Sequence, residues 1–276
     1  MIKVMQYIHG TNVMPACVSA WSIRKFGGLP KDTRYILYTT TPENFQNPLV
    51  NKVFDEIAEP TCDWRKIWNL DWTVRPEPYY RKWNSTYTSD RQRMCFIKYV
   101  QWLEEPCDEG DFVIFSDYDT LCVGDLRESF PVEPEKLWSG YPYRMKYRNW
   151  AGSTNGGFYV KNGLFQRSEL PWRLQESLWD VDKYTEAFYN FCPHNDESAV
   201  AYFLNHHGDS TLKKLDTRFN HSANTHPRLL KTIEELDVRV LHYLGDKKPW
   251  FPLQKPFIRV CERWRNVRHG MMLELR

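Results

Sequence analysis

The strand–helix–strand order of the first forty residues is the feature that most restricts how this chain can fold. Residues 2–8 alternate apolar and polar side chains, which predicts a first strand. Turn residues follow, and from about Asn12 the apolar side chains fall on one helical stripe that ends at Gly27 and Gly28. Residues 35–38 predict a second strand. This order is typical of an α/β protein, in which helices flank a mostly parallel, Rossmann-like central sheet.

A short apolar run further along the chain predicts the central strand of that sheet. This strand is predicted over residues 111–116, in which residues 112–115 are consecutively apolar, as expected for a strand that is buried on both faces. The pattern also predicts an amphipathic helix over residues 94–103 and further strands over residues 156–160 and 238–243. Residues 60–92 are rich in Trp, Pro and Arg and have no clear period, so we predict an irregular insertion there.

Composition and charge limit the domain organisation and the classes of partner. The 276 residues are 42% hydrophobic and 16% aromatic, which is sufficient for one sizeable core. Because no Gly/Ser/Pro-rich linker divides the sequence, we predict a single domain over residues 1–276, with residues 251–276 as a C-terminal basic and aromatic tail. The formal net charge of +2 is far below the basic excess of a typical nucleic-acid-binding domain, so we predict no nucleic-acid partner.

The cysteines and the absence of long apolar segments predict a cytoplasmic protein. The cysteine count is odd, no pair has CxxC spacing, and several lie in apolar runs, which suits reduced thiols. No leader-like apolar segment begins the sequence, and no stretch approaches the length of a membrane span. The basic and aromatic tail is a candidate for peripheral membrane contact, with packing on its own domain as the alternative. The cysteines are Cys17, Cys62, Cys95, Cys107, Cys122, Cys192 and Cys261.

Two aspartates directly follow the predicted central strand. Ligands of open parallel sheets bind at the carboxyl ends of strands, and alternate residues of extended backbone point the same way. Asp117 and Asp119 can therefore face one Mg²⁺ or Mn²⁺ ion, which would bridge to phosphate oxygens. A solvated turn is the alternative. A haloacid-dehalogenase-type phosphatase, with Asp117 as nucleophile, is another, but that motif normally lies on the first strand of its domain.

A second group of polar residues follows the last predicted strand. His242 ends this strand and can be a third metal ligand. Gly245 allows close approach of the backbone to a phosphate, and Lys248 supplies a positive charge for a diphosphate. Taken alone, the segment favours the alternative of a surface loop that happens to contain a histidine.

Together, the two segments resemble glycosyltransferase family 8, the group of glycogenin and bacterial galactosyltransferases. The resemblance rests on Asp-x-Asp after a buried strand and on His-x-x-Gly-x-x-Lys-Pro-Trp over residues 242–250, and it extends over roughly residues 1–250. It implies a GT-A fold and a hexosyltransferase that uses a UDP-sugar with Mn²⁺ or Mg²⁺. It also implies retention at the anomeric carbon and a glycan, glycolipid or glycoprotein acceptor.

The resemblance also assigns roles to individual residues. Asp117, Asp119 and His242 would be the metal ligands. Asn155 and Gly156 would lie beside the donor sugar, although a simple turn explains them equally well. The residues implied in binding the nucleotide or donor are Thr11, Asn12, Lys98, Tyr118, Asn155, Gly156, Gly245 and Lys248.

Two acidic residues are implied as catalytic groups. Asp196 and Glu197 stand where the family usually has Asp-Gln facing the sugar, so Glu197 departs from the usual glutamine. A carboxylate there could act as a nucleophile or stabilise an oxocarbenium-like centre. The structural alternative is a pair of acids at a helix N-terminus. A non-catalytic carbohydrate-binding protein on the same fold is the third functional hypothesis.

Overall fold

Ten strands and seven helices are found in the part of the chain that the computed structural model describes, which is residues 1–69, 89–143, 153–179, 210–223, 236–244, 248–251 and 258–276. The strands are β1 (Ile2–Ile8), β2 (Arg34–Thr39), β3 (Glu56–Ala58), β4 (Phe112–Ser116), β5 (Thr120–Cys122), β6 (Trp138–Tyr143), β7 (Ser153–Asn162), β8 (Leu212–Lys214), β9 (His221–Ser222) and β10 (Val240–His242). The helices are α1 (Met14–Phe26), α2 (Pro48–Val53), α3 (Trp64–Asn69), α4 (Ser89–Glu104), α5 (Gly163–Arg167), α6 (Leu170–Trp179) and α7 (Ile258–Glu274).

A seven-stranded sheet with the strand order β3-β2-β1-β4-β7-β6-β8 forms the centre of the fold. Strands β3, β2, β1 and β4 are mutually parallel, and β8 is parallel to β6. Only β7 runs against its neighbours, β4 and β6. This confirms the predicted α/β class with a mostly parallel sheet.

Side chains of β1 show how the sheet separates two apolar layers. Val4 and Ile8 pack into the layer that contains α1, whereas Met5 and Tyr7 pack into the layer that contains α4. All four are at least 95% buried. Because alternate residues of a strand point to opposite faces, a strand that is apolar at both sets of positions belongs in the middle of the sheet.

The prediction of an irregular insertion over residues 60–92 is wrong in part. Helix α3 covers Trp64–Asn69, and α4 begins at Ser89 rather than at the predicted residue 94. Both helices lacked a clear apolar period for a physical reason. Ile67 is the only fully buried residue of α3, and the first turn of α4 consists of polar residues, so the apolar stripe starts a turn later.

A second, three-stranded sheet with the order β5-β10-β9 brings the C-terminal part of the chain next to the end of β4. Strand β10 is antiparallel to β5 and places His242 opposite Thr120. The backbone N–H of Tyr243 donates to the carbonyl of Asp119 at 2.9 Å, which continues this pairing into the loop between β4 and β5.

The predicted C-terminal tail contains helix α7, which packs on α1. Trp264 and Met271 are 2% and 0% exposed, so two of its large apolar side chains belong to the core. Arg265 and Arg268 point to solvent. Within the described ranges, no helix has both the length and the apolar character required to cross a bilayer.

Candidate functional site

Three potential metal ligands meet where β4, β5 and β10 come together. One ligand atom each from Asp117, Asp119 and His242 lies within 4.8 Å of the other two. Asp117 follows β4, Asp119 precedes β5, and His242 ends β10, so the two sheets jointly create the cluster. The structure therefore brings together the three residues predicted as metal ligands. Carboxylate and imidazole groups form a donor set that suits a divalent cation such as Mn²⁺.

The orientation of His242 is fixed by two neighbours. Its Nδ1 lies 2.8 Å from Oδ1 of Asn220, and because an amide oxygen only accepts, Nδ1 carries the proton. Gly157 leaves the space for the ring, since a Cβ at this position would lie 2.4 Å from His242 Nδ1. A donated Nδ1–H that sets the tautomer is the usual support of a metal-binding histidine.

The contact between His242 and Asp119 fits a cation site. Nε2 of His242 lies 3.2 Å from Oδ1 of Asp119, yet this buried oxygen accepts no hydrogen bond of good geometry from any described residue. With the proton on Nδ1, Nε2 presents a lone pair to a carboxylate lone pair. Either a second ring proton or a bound cation satisfies both atoms. The donor set thus fits the metal that the sequence predicts.

Two buried lysines pair with the aspartates. Lys98 on α4 donates to both carboxylate oxygens of Asp117 at 3.0 and 2.9 Å. Lys248 donates to Oδ2 of Asp119 and to the backbone carbonyl of Tyr243. The two lysines are 9% and 6% exposed. We refer to Asp117, Asp119, His242, Lys98 and Lys248 as the aspartate cluster.

The surroundings shift the pKa values of the two aspartates in opposite directions. Burial raises the pKa of Asp117, although the neighbouring Lys98 acts in the opposite direction. Burial also acts to raise the pKa of Asp119, but its contacts with His242 and Lys248 outweigh burial, so this pKa lies below its ordinary range. Asp119 is therefore the more firmly ionised acid of the pair.

Buried hydroxyl groups hold the backbone of the aspartate loop from behind. Thr120 Oγ1 donates to the carbonyl of Asp117 at 2.7 Å, and it lies 2.7 Å from Ser116 Oγ and 3.0 Å from Ser19 Oγ. Gln6 of β1 donates to Ser19 at 2.8 Å.

Neither the residues of this hydroxyl network nor Asn220 were predicted as site residues. Asn220 follows a short 3-10 turn and has no spacing signal that links it to His242, whereas the polar Gln6 inside a buried strand was a visible clue.

The remaining donor-site predictions fall at several places around the cluster. Thr11 and Asn12 are exposed in the loop after β1. Tyr118, between the aspartates, has its ring 6.1 Å from that of Trp250. Asn155 and Gly156 lie on β7, just before Gly157, whose carbonyl accepts from the backbone of Asp117 at 3.0 Å; these two predictions thus fall beside the cluster. The predicted residues Asp196, Glu197 and Gly245 lie outside the described residues.

Comparison with solved structures identifies the fold. The galactosyltransferase LgtC, solved in complex with donor and acceptor sugar analogs, is 14% identical; the match covers 97% of this chain and 95% of LgtC, with a TM-score of 0.60. Mouse xyloside xylosyltransferase 1 is 14% identical over 92% of this chain and 100% of its own, with a TM-score of 0.59. The glycosyltransferase GlyE of Streptococcus pneumoniae is 14% identical over 99% of this chain and 63% of its own, with a TM-score of 0.56.

The chain has a GT-A fold. No protein-family model and no curated protein matches the sequence. At the observed identities the likeness concerns the fold. In this GT-A chain, the aspartate cluster occupies the carboxyl end of the central strand, where open α/β sheets bind their ligands.

Proposed function

We propose that this protein is a retaining glycosyltransferase, similar to family 8, that transfers a hexose from a UDP-sugar to a hydroxyl group of a glycan, glycolipid or glycoprotein. The proposal includes Mn²⁺, or Mg²⁺ in its place. The observation that carries it is the meeting of Asp117, Asp119 and His242 at the carboxyl end of β4 in a GT-A fold. The described neighbours in structure, including one with donor and acceptor sugar analogs, support the same reading.

In this proposal the residues divide the work of binding and charge stabilisation. Asp117, Asp119 and His242 would hold the cation, which, when bound, neutralises charge on the leaving diphosphate. Asn220 accepts a hydrogen bond from Nδ1–H of His242, which directs Nε2 at the site. Lys248 and the backbone at Gly245 would hold the diphosphate, and Thr11 and Asn12 the nucleoside.

The donor sugar would be bound near Asn155 and Gly156 and face Asp196 and Glu197. Glu197 is the proposed nucleophile or electrostatic stabiliser of the oxocarbenium-like centre. An active-site glutamine of LgtC has been replaced by glutamate in another of the similar structures, which matches this chain over the same shares with a TM-score of 0.62. This chain carries glutamate naturally where the family resemblance places glutamine, so we expect its donor preference to differ from that of LgtC.

The two other hypotheses receive less support. A phosphatase of the haloacid-dehalogenase type normally carries its Asp-x-Asp on the first strand of its domain, whereas here the pair follows β4, after three other strands. A carbohydrate-binding protein without catalytic activity does not require three converging metal ligands beside two buried lysines.

A cytoplasmic location, with peripheral membrane contact through the exposed arginines of α7, is part of the proposal. A vesicle-binding assay tests the membrane contact.

A donor screen tests the proposed function. Purified protein is incubated with Mn²⁺ and a panel of UDP-, GDP- and TDP-sugars, and hydrolysis or transfer is read by mass spectrometry. We expect turnover of a UDP-sugar and a rise in the melting temperature with UDP and Mn²⁺ together. Asp119→Asn should abolish both effects, whereas Glu109→Gln, which removes a carboxylate from a surface ion pair with Arg167, should change neither. A folded wild-type protein that acts on no sugar nucleotide would contradict the proposal.

A further inference from the structure

The charges of the aspartate cluster already balance without any ligand. Asp117 and Asp119 carry the negative charges, and Lys98 and Lys248 carry the positive charges, each in direct contact with one carboxylate. A divalent cation that entered this cluster alone would leave two uncompensated positive charges among the buried side chains that the structure describes. Such an excess charge is expensive where the local dielectric constant is low.

A sugar nucleotide would remove that excess. Each of its two phosphate groups carries one negative charge, so the cation and the diphosphate together restore neutrality to the cluster. Charge balance therefore favours the combined entry of cation and diphosphate over the entry of either one alone.

The two lysines differ in their ability to change partners. Lys98 is in the third turn of α4 and donates to both oxygens of Asp117, so helix and carboxylate together fix its position. Lys248 lies outside any helix or strand and contacts one oxygen of Asp119 and the carbonyl of Tyr243. Its ammonium group can therefore leave Asp119 without breaking the backbone hydrogen bonds of a helix or strand.

We propose that Lys248 is an exchangeable counter-ion, which neutralises Asp119 in the nucleotide-free protein and transfers to the diphosphate when the cation and the nucleotide bind. The inference rests on the proposed function and adds a form of regulation to it. The cation alone then binds weakly, because it must compete with Lys248 for Asp119. Nucleotide binding removes the competitor, so each ligand strengthens the binding of the other by the same factor.

The test compares the binding of Mn²⁺ and UDP to wild-type protein and to Lys248→Met. The electron paramagnetic resonance signal of free Mn²⁺ measures how much Mn²⁺ is bound. In the wild type, UDP should raise the affinity for Mn²⁺ by roughly 5–150-fold, the usual range of coupling between two sites. In Lys248→Met, Mn²⁺ alone should bind roughly tenfold tighter than in the wild type, whereas UDP in saturating Mn²⁺ should bind more weakly. Opposite changes in the two affinities identify the exchange, because general damage to the site would weaken the binding of both Mn²⁺ and UDP.

The matched control is Lys25→Met, which removes the same charge from a surface ion pair with Glu274 and should change neither affinity. Lys248→Gln, which keeps a hydrogen-bond donor without the charge, serves as a second variant if the methionine variant does not fold. Unchanged or weaker binding of Mn²⁺ alone in both variants, with wild-type binding of Mn²⁺ and UDP intact, overturns the exchange and leaves the proposed function standing. If the folded wild type binds neither Mn²⁺ nor Mn²⁺ with UDP, the proposed function itself is wrong.

Discussion

Two groups of buried charged side chains lie at opposite ends of β4, and they differ in how completely their polar atoms are paired. At the amino end, Lys161 donates to the carbonyls of Leu103 and Glu105 and to the side chain of Gln166, at 2.7 to 3.0 Å. The carboxylate of Glu105 accepts from Lys3 at 2.7 Å and from Tyr38 at 2.5 Å. We call Lys161, Glu105, Gln166, Lys3 and Tyr38 the lysine-161 cluster.

The aspartate cluster at the other end is incomplete by comparison. Asp119 has a buried oxygen that receives no good hydrogen bond within the described part of the chain, and that oxygen faces an imidazole nitrogen. In the lysine-161 cluster, the ammonium group has three acceptors and both carboxylate oxygens of Glu105 have donors. Buried charge is thus not itself a sign of function. What distinguishes a ligand site is a set of donor atoms that point at one place and whose lone pairs are not all used in hydrogen bonds.

The largest effect is expected from Gly157→Ala, which would damage only the aspartate cluster. The added Cβ would lie 2.4 Å from His242 Nδ1 and 2.9 Å from Asn220 Oδ1, so both side chains must move. We expect the affinity for Mn²⁺ in the presence of UDP to fall roughly 100-fold, and the free energy of unfolding to fall by about 1–3 kcal/mol. Mn²⁺ titration and urea denaturation measure the two effects.

The control for this variant is Gly270→Ala in α7. Its Cβ would meet nothing closer than Trp21 at 3.8 Å, so the substitution should leave Mn²⁺ binding unchanged. The higher helix propensity of alanine should slightly stabilise the fold. Normal Mn²⁺ binding by Gly157→Ala would show that His242 is not required in its observed position.

Lys161→Met should have the complementary effect on the other cluster. The substitution leaves the carbonyls of Leu103 and Glu105 buried without a donor, so the free energy of unfolding should fall by about 2–4 kcal/mol. The affinity for Mn²⁺ and UDP should be unchanged in the protein that remains folded. Weakened Mn²⁺ binding here would mean that the two ends of β4 are coupled, and the distinction between the clusters would be lost.

The pH dependence of stability sharpens the same comparison. Burial lowers the pKa of Lys161 to about 7, whereas the unfolded chain keeps an ordinary lysine pKa of about 10.4. Between these values the unfolded state binds more protons, so the contribution of Lys161 to stability rises with pH, by at most about 1.4 kcal/mol per pH unit. The difference in stability between wild type and Lys161→Met should therefore widen from pH 7 to pH 9.5 in urea denaturation. A constant difference would show that Lys161 does not titrate in this range.

The smallest effect is expected at Asn220, which touches the ring of His242 but not the proposed cation. Asn220→Leu removes the acceptor of Nδ1–H, and Mn²⁺ affinity should fall roughly tenfold, the lower limit for residues that orient a ligand. Asn220→Asp keeps an oxygen at the same place and should retain the affinity. Equal losses in both variants would indicate general disturbance of the loop rather than loss of the oriented ring.

The sequence was sufficient to predict elements with a strong local pattern. Strand β1 was predicted with its observed bounds, and β4 within one residue, because their apolar patterns are continuous. The meeting of Asp117, Asp119 and His242 was predicted from the resemblance to family 8, which joins the two motifs that contain them.

The supporting contacts could not be predicted from local patterns. Asn220 meets His242 only because β9 and β10 are parallel neighbours, and Gly157 meets it only because β7 lies beside β4. The partners of Lys98 and Lys248 are likewise set by three-dimensional proximity. Both lysines were predicted to bind the donor nucleotide, whereas in the folded chain they donate hydrogen bonds to the two carboxylates.

The pairing of β5 with β10 has a consequence for the order in which the centre is assembled. The aspartates are translated before the imidazole, which arrives with β10. A nascent chain that has not yet docked β10 lacks the third ligand and the lysine beside Asp119. The centre therefore forms only after β10 has docked, and capture of a divalent cation would report that this docking has taken place.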